Sequence, residues 1–141
     1  MSGKVVLAIA VVVLFVTFAY TFSKKSYFSS KHPLVEKIRT NFGLLNPEYA
    51  KIPIQEGSSA YTENKEMITM CLQDPKTKKF YDMNTLMYVA LHELAHVVTT
   101  THGHDEQFKA NFVKLLERAA QLGIYDPTKP LPENYCGVKT G

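Results

Sequence analysis

Five histidines stand in this chain of 141 residues, and two of them bracket the pentapeptide His92-Glu93-Leu94-Ala95-His96. On a helix, four residues advance by about 400°, so His92 and His96 stack on one face and can grip a single zinc ion. Glu93, next to His92, is within reach of a metal-bound water. Zinc lowers the pKa of such a water from about 15.7 toward about 7. Glu93 then takes the proton as the water attacks a carbonyl and passes it on to the leaving amine. The chemistry predicted is hydrolysis of a peptide bond.

A catalytic zinc uses three protein ligands and keeps one position open. Two candidates follow the pair, His102 and His104. His102 lies on or near the end of the helix, where its ring turns away. His104 comes after Gly103 and opens a second helix, anchored one turn later by Phe108, and is the preferred third ligand. An oxyanion donor is also needed, and Tyr125 and Tyr135 are candidates for it. The rival reading keeps zinc but makes it a staple: a non-catalytic, membrane-anchored virion or binding module. A structural site closes its fourth position with Cys or His, and Cys71 or Cys136 is available. The same two cysteines can instead form one bridge in an oxidising compartment, or stand as a buried strand residue and a tail residue.

The elements that position these groups are legible in the pattern of apolar residues. The motif lies in a helix from about Asn84 or Thr85 to Thr100, with Asp82 or Asn84 as N-cap and Leu86, Val89, Ala90, Leu94 and Val97 at three- and four-residue steps. Gly103 suits a sharp reversal. The next helix begins near Asp105-Glu106, presents Phe108, Phe112, Leu115, Leu116 and Ala119, and closes at Gly123. Upstream, Pro33 opens a short helix, Leu34 to Asn41. Lys51 to Gln55 reads as extended, Glu66 to Leu72 as a strand, and the tail from Asp126, with three prolines, as an extended wrap.

Around the zinc motif the residues resemble a known family. His92-Glu-Leu-Ala-His96 followed by Gly103-His104-Asp105-Glu106-Gln107-Phe108 is similar to the arrangement of WLM- and SprT-type zinc metallopeptidases. Residues 60–137 more closely resemble small, one-span WLM-like proteins of large DNA viruses. The resemblance implies one Zn2+ held by His92, His96 and His104, Glu93 as general base, and a protein or peptide substrate. It implies a zincin-like α+β domain of gluzincin type: a small mixed β-sheet, the active-site helix, and a second long helix packed behind it. Strand 66–72 is then either an edge strand able to bind substrate by strand addition or an interior strand.

The rest of the chain is defined by one apolar run. From Val5 to Phe22 no charge occurs over 18 residues, roughly 27 Å of helix. Lysines flank the run, and Tyr20 and Phe22 sit where interfacial aromatics belong. The run is longer than a signal-peptide core and lacks a clean cleavage site. The expectation is an uncleaved transmembrane anchor over residues 1–25, joined to a metallopeptidase-like domain over 26–141. Such a chain is a single-pass protein of a host or virion membrane, contacting lipid through residues 5–22, its side of the membrane left open. The net charge of +3 is carried by Lys4, Lys24 and Lys25 around that run. The neutral remainder lacks an electrostatic footprint for phosphates, so nucleic acid is not an expected partner.

Overall fold

The computed structural model describes residues 2–23 and 28–140. Helix α1 (Gly3–Ser23) covers the apolar run and packs against no other element among the described residues. Its side chains from Val5 to Phe18 are exposed on every face. Here the structure corrects the sequence reading, because among the described residues no helix is long and apolar enough to cross a membrane. The expected transmembrane anchor, the lipid contact through residues 5–22 and the single-pass location are therefore withdrawn. The roles read for Lys24 and Lys25, and for the side chains of Tyr20 and Phe22, lie outside the described residues.

The α+β class is as expected from the sequence. Helix α2 (Pro33–Leu45) starts with proline at its first turn, and the His32 ring accepts from the Leu34 amide. It runs beyond the expected Asn41 to Leu45 and ends where Asn46 turns extended, its amide donating to the Phe42 carbonyl. Val35, Ile38 and Phe42, fully buried, form its core face. Three short strands follow, β1 (Ile54–Glu56), β2 (Tyr61–Glu63) and β3 (Met67–Met70). They form a mixed sheet in the order β1-β3-β2, with β1 parallel and β2 antiparallel to β3.

The strand foreseen at Glu66 to Leu72 is thus the middle of the sheet. Met67, Ile68, Thr69 and Met70 are all buried, and both flanks of β3 are paired. A continuous buried run is the pattern of an interior strand, so β3 offers no edge for strand addition. The edge on the side of the helices is β2, which is too short to register as a strand in the sequence.

Helix α3 (Met83–Val98) carries the zinc motif and packs on β2, β3, α2 and helix α4 (Glu106–Gln121). Asp82 caps α3, accepting from the Thr85 amide (3.0 Å) and hydroxyl (2.7 Å). Asp105 caps α4, accepting from the Phe108 amide at 2.9 Å. Between them Gly103 adopts φ +77°, the left-handed conformation that favours glycine. Leu86, Met87, Ala90, Leu91 and Leu94 of α3 meet Ile38 and Phe42 of α2, Ile54, Ile68 and Met70 of the sheet and Ala119 of α4 in one core.

The C-terminal segment is more structured than the extended wrap expected. It closes in a hairpin, β4 (Asn134–Tyr135) and β5 (Val138–Lys139), turning at Cys136 and Gly137, both at positive φ. Three ties hold it to the body. Cys71 and Cys136 form a disulfide across a sequence separation of 65. The buried Tyr135 hydroxyl donates to the Cys71 carbonyl and accepts from the Cys71 amide at 3.1 Å. The Cys136 amide donates to the Tyr81 hydroxyl at 2.9 Å.

Candidate metal centre

The i,i+4 spacing on α3 brings His92 and His96 to one face, with ring centroids 5.1 Å apart. The Gly103 reversal then returns the chain, and His104, one residue before the cap of α4, completes the group. Its Nε2 lies 3.1 Å from Nε2 of His92 and 3.1 Å from Nε2 of His96. Each of these two separations is close to the edge of a zinc tetrahedron, about 3.3 Å for Zn–N bonds near 2.05 Å, and the three ligand atoms all lie within 4.8 Å of one another. The three histidines thus form a group able to hold a metal ion. His102 is not part of it and stands at the rim of the cleft in front.

Phe108 is the floor of this group. Its ring stacks on His96 with centroids 4.3 Å apart and meets His92 and His104 edge-on at 5.0 and 4.8 Å. Phe112 adds a second edge contact to His92 at 5.2 Å. Both phenylalanines come from the apolar face of α4, so the packing of α3 on α4 also fixes the ring planes. Burial, reinforced by repulsion from His96 and His104, holds His92 down to about 4. Burial, then His104 and Lys65, lowers His96 in the same way. Both rings are neutral near pH 7, the form that ligates metals.

Glu93 is buried beside the group. Burial raises its carboxyl above the usual range, opposed by a hydrogen bond from Thr62. The Thr62 hydroxyl, on β2, lies 2.7 Å from Oε2 of Glu93 and 3.0 Å from its carbonyl oxygen, and donates between them. No short-range pattern reveals this pairing, since 31 residues separate the two.

Lys65 was also missed in the sequence. Asn64 and Lys65, at φ 51° and 57°, are the central residues of the turn from Glu63 to Glu66 that joins β2 to β3, closed by the Glu66 amide on the Glu63 carbonyl. From there Lys65 Nζ donates to three carbonyl oxygens, those of His96 (2.8 Å), Thr99 (2.6 Å) and Thr101 (2.8 Å). These lie at and just past the C-terminus of α3, where carbonyls lack helical partners and a cation is favoured. Lys65 therefore pins the loop that delivers His104.

The two tyrosines proposed as oxyanion donors are placed otherwise. Burial pushes Tyr135 far above its ordinary value, and its hydroxyl is committed to the Cys71 backbone. Tyr125 packs on Tyr88 at 6.1 Å and lines a separate cleft with Asn84 and Asp126. In front of the histidines a cleft of about 590 Å3 opens to solvent, bordered by Tyr61, Thr62, Asn64 and Lys65.

With this geometry in view, comparisons with known proteins are informative. A model described as WLM domain matches residues 61–130. The chain is 45% identical over 89 residues to Uncharacterized protein 136R of Invertebrate iridescent virus 6, covering 62% of this chain and 50% of that protein. It is 33% identical over 113 residues to Uncharacterized protein R325 of Acanthamoeba polyphaga mimivirus, covering 79% and 57%. The chain thus spans about half the length of these relatives. The crystal structure of Wss1 from Saccharomyces cerevisiae shares the fold, with a TM-score of 0.56 and 23% identity over 64% of this chain and 79% of that one. Residues 61–130 thus resemble a WLM domain, on a fold shared with Wss1, in a chain similar to proteins of large DNA viruses.

Proposed function

We propose that residues 26–141 form a zinc-dependent peptidase unit, with His92, His96 and His104 as ligands of one zinc ion and Glu93 as general base. The observation that carries this reading is the convergence of three Nε2 atoms, 3.1 Å from His104 to each of the others, beside a buried carboxylate. Zinc held there acidifies water and polarises a carbonyl. Glu93 accepts a proton from the attacking water on its carboxylate and returns it to the leaving amine. Burial strengthens Glu93 as a base, and Thr62 keeps one carboxylate oxygen oriented. Protein or peptide is the substrate class, entering along the cleft past β2, whose outer edge is unpaired within the sheet.

The structural-zinc alternative has less support. Cys71 and Cys136 are bonded to each other, so neither thiolate is free to close a fourth position. The buried base next to the histidines has no purpose in a staple. The test is metal analysis of the purified chain together with cleavage of a peptide library by wild type and Glu93→Gln. One zinc in both proteins and cleavage by wild type alone is the expected result. Equal turnover by the two proteins, or a wild type that stays metal-free in excess zinc, ends the proposal.

A further inference from the structure

On the far side of the histidines from Asn64 and Lys65 lies a second cleft of about 410 Å3. His92, Glu93 and His104 line both clefts, so the metal centre stands where the two meet. Their chemistry differs. The first is bordered by Thr62, Asn64, Lys65 and His102. The second is walled by Ala60, Tyr88, Val89, Tyr135 and Val138, a mostly apolar lining, with Ser59, Lys139 and Thr140 also bordering it. Two of these walls come from the C-terminal hairpin, which the disulfide and the Tyr135 hydroxyl tie to Cys71. Tyr88 and Val89 stand on α3 one turn before His92, and Tyr88 is braced by the Phe112 ring at 5.4 Å. Val138, on β5, is 61% exposed.

We propose that this second cleft is a side-chain subsite, which takes an aliphatic or aromatic residue flanking the peptide bond cut at the metal centre. The proposal rests on the peptidase reading for what crosses the site. Its occupant follows from continuity: a peptide whose backbone passes the histidines must send one flank into this cleft. An apolar side chain there removes itself and Val138 from water, at about 25 cal/mol per Å2 of apolar surface, while an uncharged amide side chain of the same shape leaves water without a partner among those five walls. Such pockets, mostly apolar with few polar groups, are the ordinary form of a side-chain site.

The experiment has two arms on the full chain, wild type and Val138→Glu. In the first, methyl resonances of Val89 and Val138 are followed by NMR while N-acetyl-leucinamide or N-acetyl-asparaginamide is added, without reference to catalysis. The leucine amide is expected to shift the Val89 and Val138 methyls of wild type and the asparagine amide not to; Val138→Glu weakens leucine-amide binding about tenfold, read at Val89. In the second, a peptide library is cleaved by the zinc-loaded protein and the products are sequenced. An apolar residue is expected at one position beside the cut, with kcat/KM for such peptides about tenfold lower in Val138→Glu and zinc content unchanged. Absence of methyl shifts, or cleavage with no preference at either flank, overturns the subsite. Methyl shifts without cleavage of any peptide speak for the apolar pocket and against the peptidase reading, so the two fail separately.

Discussion

Thr62 and Lys65 act on the site without belonging to the zinc motif. The Thr62 hydroxyl is bonded to a carboxylate, and such charge-assisted bonds contribute about 1.5–3 kcal/mol. Thr62→Val is therefore expected to lower kcat about tenfold or more at nearly constant KM, with one zinc still bound; unchanged kcat contradicts an orienting role. Lys65 satisfies three carbonyls of the loop that carries His104. Lys65→Met is expected to weaken zinc binding and to lower stability by about 2 kcal/mol, read by zinc titration and urea unfolding. Were only stability to fall, the link from Lys65 to His104 would be lost. Among the histidines, His104→Ala is expected to lose far more zinc affinity than His102→Ala, and the opposite order reassigns the third ligand.

At the scale of elements, α3 is the part on which the site depends, and its N-terminus is held by Asp82. Burial acts to raise the Asp82 carboxyl, but hydrogen bonds from the Thr85 hydroxyl and amide and the Asn84 amide outweigh it and lower the value below 3.8. A depressed carboxylate stabilises the fold above its unfolded pKa, and that contribution fades as the pH falls through the lowered folded value. Asp82→Ala is expected to cost about 1 kcal/mol near neutral pH and to lose its penalty below about pH 4. A penalty independent of pH, measured by urea unfolding at pH 7 and pH 3, argues against a charged cap. Helix α4 contributes differently, through Phe108, whose ring touches all three imidazoles.

Across the whole molecule, the Cys71–Cys136 disulfide joins distant segments covalently. The bridge spans 65 residues of sequence, for which loop-closure entropy corresponds to about 4 kcal/mol. Reduction is expected to lower the urea midpoint strongly and to release the hairpin that walls the second cleft. A midpoint that does not move on reduction, with free thiols verified, shows that the hairpin is held by its hydrogen bonds and packing alone. Zinc should raise the melting temperature with concentration, by about 4 kcal/mol of stabilisation at a thousandfold excess over Kd, and a chelator should reverse it.

The sequence by itself determined the face of α3 that carries His92 and His96, the reversal at Gly103 and the apolar face of α4. These follow from helical periodicity and backbone sterics within a few residues. It also suggested a membrane span, from apolar length, flanking lysines and aromatics placed as at an interface, which the described helix does not sustain. Only the tertiary structure decided that His104 and not His102 reaches the pair, that β3 is interior and β2 the edge, that Thr62 and Lys65 serve α3, and that Tyr135 is spent on Cys71. The bonds of Thr62, Lys65 and Tyr135 join residues 31 to 64 positions apart. Contacts at that range are selected by packing of the assembled core, and no local spacing encodes them.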